Sequence, residues 1–143
     1  MTLSLWMLLA FAGWTLLVLL AGVGVPRWSL ILTGRATLTS FPGDTAHGGV
    51  AYRRAVRAHA NCVENLPVFA AIVLTAAVAH VTPPHFGALA LVTMVGRVGH
   101  TSIHMALPET IASVALRFSC FLVQVLAMIA MGALVAVVAT AGA

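Results

Sequence analysis

Four apolar stretches, each near the roughly 20 residues that cross a bilayer as a helix, govern what this chain can fold into. They run about Leu3 to Val25, Ala51 to Val81, Phe86 to Leu107 and Ile111 to Ala139. In hydrocarbon every backbone N–H and C=O must be paired within the span. The expected fold is therefore all-α, an integral membrane four-helix bundle in one domain over residues 1–143. Composition agrees: 62% of the 143 residues are hydrophobic and only 7% are charged, where a soluble domain carries about a quarter. The first stretch lacks a basic leader and is too long for a signal peptide, so it is expected to be retained.

Punctuation between the stretches comes from Gly22, Gly24 and Pro26 at the end of the first. A polar loop from Arg27 to Gly49 follows, with Pro42-Gly43-Asp44 as its turn. Val81-Thr82-Pro83-Pro84 is expected to stop the second helix, because proline cannot continue one. Pro108 and Glu109 form the last connection, with Pro108 placed to serve near a helix start.

The charges are unusual in kind and place. All seven basic residues are arginine, against Asp44, Glu64 and Glu109, for a net charge of +4. Five arginines (Arg27, Arg35, Arg53, Arg54 and Arg57) cluster around the connection between the first two helices. By the positive-inside rule the Arg27–Arg57 region is expected to be cytoplasmic. The arginines sit at membrane edges and within spans and form no soluble basic surface, so no nucleic acid partner is expected. Trp6, Trp14 and Trp28 read as core or interface anchors.

Polar residues also enter the spans at helical spacing. Arg54, Arg57, Asn61 and Glu64 are separated by three, four and three residues and share one face of the second helix. Pro67 follows, and its missing N–H frees the carbonyl of Val63. Thr93, Arg97, His100 and His104 form a stripe on the third helix, and Ser113, Arg117, Cys120 and Gln124 one on the fourth. Ionisable groups within a membrane are costly and mark functional sites by default. Glu64 is the one acid well inside a span. Arg57, Arg97 and Arg117 can neutralise it, which leaves positive charge over and calls for an anionic ligand. The bland alternative for each single arginine is snorkelling to the headgroups. His100 and His104, at i and i+4, lack a third ligand nearby and read as hydrogen-bonding pocket residues, not as a metal site. Cys62 and Cys120 read as buried free thiols.

The run Arg57-Ala58-His59-Ala60-Asn61-Cys62-Val63-Glu64-Asn65-Leu66-Pro67, with Phe69 beyond, resembles the MAPEG family, the membrane-associated proteins in eicosanoid and glutathione metabolism. The likeness is to microsomal glutathione transferases and small bacterial members. It rests on the Arg-Ala-x-x-Asn-x-x-Glu-x-x-Pro pattern, on Gly96-Arg97-Val98-Gly99-His100 with Ile103-His104, and on the four-helix layout of the whole chain.

The resemblance implies a homotrimer in a bacterial inner membrane, with glutathione bound between neighbouring subunits near the cytoplasmic face. It implies that Arg57, Asn61 and Glu64 grip glutathione, the arginine on a carboxylate and the glutamate on the α-amino group. Arg54, His100 and His104 would complete the binding site, and Arg97 matches a third-helix arginine. Asn65 stands where some members have a tyrosine. The arginine that polarises the glutathione thiol in one member of the family falls near Ile111 here, so Arg117, or Arg35, is the expected substitute, and Arg117 and Arg97 are the expected catalytic residues that stabilise the thiolate. The expected function is a glutathione-dependent transferase or peroxidase. It would act on a lipophilic electrophile or lipid hydroperoxide drawn from the bilayer. The alternative is a non-catalytic member that binds a lipid or a partner protein. A four-helix exporter of cationic drugs fits poorly, because the expected first helix carries no acid and the pocket would be positive.

Overall fold

The computed structural model describes residues 1–43, 47–81 and 83–141. Among the described residues four helices are long and apolar enough to cross a membrane: α1 Leu3–Leu32, α2 Val50–Val78, α3 Phe86–Ala106 and α4 Ile111–Ala141. Asp44 of the expected loop turn and Thr82 of the expected stop lie outside the described residues.

The first helix differs most from expectation. It does not end near Val25 but continues to Leu32, through a π-helical stretch at Val18–Gly24. Gly22, Gly24 and Pro26 therefore modify this helix instead of ending it. The wider π turn shifts the ladder, so that the Val25 N–H donates to the Leu20 carbonyl, five residues back. Pro26 then falls at the start of the following α-helical stretch, where its missing N–H is tolerated. The true end is a Schellman motif: the Gly34 N–H reaches the Ile31 carbonyl at 3.0 Å and the Arg35 N–H reaches Leu30 at 2.9 Å. Gly34 supplies the left-handed φ of +69° that this closure requires. Arg27 and Trp28 consequently belong to α1 and not to a loop.

The second helix also stops by its backbone and not by proline. His80 takes φ +54°. Its N–H meets the Ala77 carbonyl at 3.3 Å while that of Val81 meets Ala76 at 3.0 Å, a second Schellman closure. Pro67 is carried inside α2. At the start of α4, Thr110 and Ser113 exchange side-chain-to-backbone bonds at 3.0 and 3.2 Å, a capping box built just after Pro108.

The core draws on all four helices: Phe11, then Cys62, Phe69, Val73 and Ala76, then Phe86 and Ala90, then Met128, Met131 and Val135. The rings of Phe11 and Phe69 meet at 5.7 Å. Lipid tails are as apolar as leucine, so close packing and buried hydrogen bonds hold such a bundle together. Small residues make the approach possible. A Cβ on Gly22 would lie 3.0 Å from Cβ of Ala55, and one on Gly96 would lie 3.0 Å from the Cys120 carbonyl. The Gln124 amide donates to Asn65 Oδ1 at 3.3 Å, and Cys62 Sγ meets Thr101 Oγ1 at 3.5 Å, tying α2 to α4 and to α3.

Candidate functional site

The arginine-bearing end of the bundle holds a cavity of about 510 Å³. Its wall is Arg27 from α1, Val50, Tyr52, Arg53, Arg54, Val56 and Arg57 from the first turns of α2, and Pro42, Gly43 and His47 from the loop. Glu109 closes it from the α3–α4 connection. Four guanidinium groups against one carboxylate make this a site for an anion of small-peptide size.

Arg27 is fixed from several directions. It donates through Nε to the Tyr52 hydroxyl. Its guanidinium carbon also lies 5.2 Å from the Phe41 ring centroid and 5.6 Å from that of Tyr52, within cation–π range. The His47 ring meets Phe41 edge-on at 5.7 Å and Tyr52 at a tilt at 5.3 Å. Gly48, at φ +77°, lies so close to Tyr52 that an added Cβ would sit 2.7 Å from its ring. This aromatic cage was not legible in the sequence, because Arg27 and His47 read as loop residues. The pairing of Arg27 with Tyr52 depends on α1 running to Leu32.

The expected stripe on α2 is split. Arg54 and Arg57 line the cavity, whereas Asn61 and Glu64 do not. Asn61 donates to the Arg57 carbonyl at 3.0 Å, and Asn65 donates to the Asn61 carbonyl at 2.8 Å. Arg57 and Glu64 are exposed on the protomer and Asn61 is half-buried. Glu64 lies fourteen residues beyond Val50, about 21 Å along the helix, with Val63 and Val68 exposed beside it.

The stripe on α3 points inward. Arg97, His100 and His104 are all buried, Arg97 completely. The Arg97 guanidinium lies 5.4 Å from the Phe11 ring centroid, and its Nη1 is 3.5 Å from Nδ1 of His100. Among the described residues its Nε and Nη2 have no hydrogen-bond partner. The Cys62 thiol sits beside it, and Glu64 acts on it through charge alone. The His100 and His104 rings are 6.2 Å apart, and Arg117 from α4 donates to Nδ1 of His104. Arg57 and Arg117 thus do not pair with Glu64, nor does Arg97: among the described residues none forms an ion pair with it. The expected mutual neutralisation fails because Glu64 faces out of the protomer while Arg97 faces in and Arg117 turns to a histidine. Arg35 is exposed and does not line the cavity. Among the described residues, no three potential metal-ligating side chains gather.

Trp6 and Trp28 are exposed on α1, as interface anchors would be. Cys62 and Cys120 are free thiols.

No curated protein and no solved structure is significantly similar to the chain. The MAPEG family profile, by contrast, matches residues 3–137, nearly the whole sequence, covering α1, α2, α3, all but the last turn of α4 and every polar residue of the site. With that match joined to four membrane-length helices, the chain belongs to the MAPEG family.

Proposed function

We propose that this protein is a membrane-embedded glutathione-dependent transferase or peroxidase, working as a homotrimer with glutathione held between neighbouring subunits. The observation that carries the reading is the face of α2 shared by Arg57, Asn61 and Glu64, on which the protomer leaves Arg57 and Glu64 exposed and Asn61 half-buried between them. An exposed carboxylate on a membrane-spanning helix has no partner in lipid, so a neighbouring copy and a ligand are what would cover it. Arg57 pairs with a glutathione carboxylate and Glu64 with its α-ammonium. Asn61 fixes the peptide between them, and Arg54 adds positive potential from the cavity wall. The arginine-bearing end faces a bacterial cytoplasm, where glutathione is supplied in water while the second substrate arrives from the bilayer.

The chemistry is thiolate attack. Glutathione loses its thiol proton to water, and Arg117 and Arg97 stabilise the anion, since the thiolate is the nucleophile. With an electrophile R–X, the sulfur forms a bond to carbon and X⁻ departs. With a hydroperoxide ROOH, the sulfur takes the terminal hydroxyl and RO⁻ leaves, becoming the alcohol on protonation. A second glutathione then reduces the sulfenic acid, giving the disulfide and water.

The test is glutathione binding to the detergent-purified protein by calorimetry, beside Arg57→Ala and Glu64→Ala, followed by turnover of a model electrophile and a hydroperoxide. Binding lost in both variants, with turnover in the parent, supports the enzyme. A folded protein that ignores glutathione overturns it. One observation favours the second reading, a non-catalytic member that binds a lipid or a protein: Arg117 does not line the cavity. Glutathione binding without any turnover would select that reading.

A further inference from the structure

Four long polar side chains form one line inside the bundle, and the line contains no acid. It runs Arg97, His100, His104, Arg117. The first three recur at steps of three and four along α3, and the short 107–110 connection brings Arg117 of α4 back against them. His100 and His104 are each about 6% exposed. Arg97 lies 3.5 Å from Nδ1 of His100, and Arg117 donates to Nδ1 of His104. The Phe121 ring backs His100 at 5.8 Å.

A guanidinium carries only donors. A histidine nitrogen that faces one must present its lone pair, so the proton of a neutral ring sits on Nε2. The two histidines are thereby set as acceptors for arginine. Neither can reach glutathione as a cation without releasing its partner. An unheld arginine samples many rotamers, and a thiolate partner must be in place before the proton leaves.

We propose that His104 is a positioning residue that fixes the guanidinium of Arg117 for the glutathione thiol. This rests on the glutathione reading above and adds to it a specific division of labour: Arg117 meets the sulfur, and His104 meets only Arg117. His104 touches Arg117 on α4 and lies 6.2 Å, ring to ring, from His100 on its own helix, and the charges of Glu109 on the connection and of Arg57 and Arg54 on α2 act on it from further away. Only one of these is an acid, and it lines the cavity. Protonating His104 would turn its acceptor into a donor and push Arg117 away.

The experiment compares His104→Leu, His104→Asn, Arg117→Ala and the double variant His104→Leu/Arg117→Ala in detergent, each checked for folding by thermal unfolding. Calorimetry reads glutathione affinity, ultraviolet absorbance reads bound thiolate at neutral pH, and turnover gives kcat and KM. His104→Leu is expected to keep glutathione affinity within about threefold yet lose at least tenfold in bound thiolate and in kcat. Arg117→Ala should match it, and the double variant should be no worse than either single, as residues acting as a unit require. His104→Asn, whose amide oxygen can accept from Arg117, should restore most of the loss. Full thiolate and kcat in His104→Leu overturns the proposal, and so do additive losses in the double variant or a folded His104→Asn as poor as the leucine. A parent protein that binds no glutathione removes the thiol that Arg117 would serve and overturns the glutathione reading together with this one. Intact binding with uncoupled variants overturns this one alone.

Discussion

Replacing Arg97 by methionine should make the protein more stable while disabling it. Arg97 is fully buried near the middle of α3, and two of its three nitrogens, Nε and Nη2, lack hydrogen-bond partners among the described residues. An arginine at the centre of a membrane helix costs about 2.5–3.5 kcal/mol relative to an apolar residue. The neighbouring Cys62 thiol and two further contacts offset part of this. The Phe11 ring, 5.4 Å from the guanidinium carbon, contributes about 1 kcal/mol as a desolvated cation–π pair. The 3.5 Å contact to His100 is long for a hydrogen bond and contributes less than about 1 kcal/mol. Methionine is flexible enough to fill the vacated space.

The net expectation for Arg97→Met is a gain of about 1–2 kcal/mol, in line with buried charges replaced by apolar residues of similar volume. For a chain of this size that is a rise of roughly 3–8 °C in Tm. The assay is thermal unfolding of the detergent-purified protein without glutathione, followed by circular dichroism, with turnover measured on the same sample. Turnover should fall at least tenfold. A Tm that drops by several degrees would refute the reasoning, because it would mean that Arg97 has a strong partner in the assembled protein, such as a trapped anion or a group from a neighbouring copy.

Two further outcomes test the fold. Gly22→Val should destabilise by about 1–3 kcal/mol through overpacking, since even a Cβ there lies 3.0 Å from Cβ of Ala55; a lowered Tm in detergent checks it, and an unchanged Tm would mean that the π-helical stretch does not hold α1 against α2. His80→Gly should stabilise by about 1 kcal/mol, because a β-carbon is disfavoured at φ +54°; chemical unfolding that shows no gain would mean that the histidine side chain holds that turn.

Much was legible without coordinates because hydrocarbon imposes strict rules. Unbroken apolar stretches near 20 residues had to become helices, and α3 and α4 begin where the sequence placed them. The helix ends misread were those set by backbone geometry. Gly22, Gly24 and Pro26 look like a terminus, yet a π turn absorbs them, and the stop is made by Gly34 at a left-handed position. The latter has a sequence signal in a lone glycine followed by a polar segment. The stop at His80 has none of comparable strength, since only the fold decides that a histidine will adopt φ +54°.

The polar stripes divide in the same way. Spacing of three and four fixes which residues share a helix face, and so the sequence by itself determined that Arg57, Asn61 and Glu64 travel together, as do Arg97, His100 and His104. Spacing within a helix says nothing of the rotation of that helix about its axis. The tertiary structure turned the α3 stripe inward against Phe11 and Cys62 and left Glu64 facing out. It also tied Arg117 to His104 and caged Arg27 between Phe41 and Tyr52. Periodicity is a property of one helix, whereas partnership depends on packing between helices, which close contacts such as Gly22 on Ala55 and Gly96 on Cys120 set.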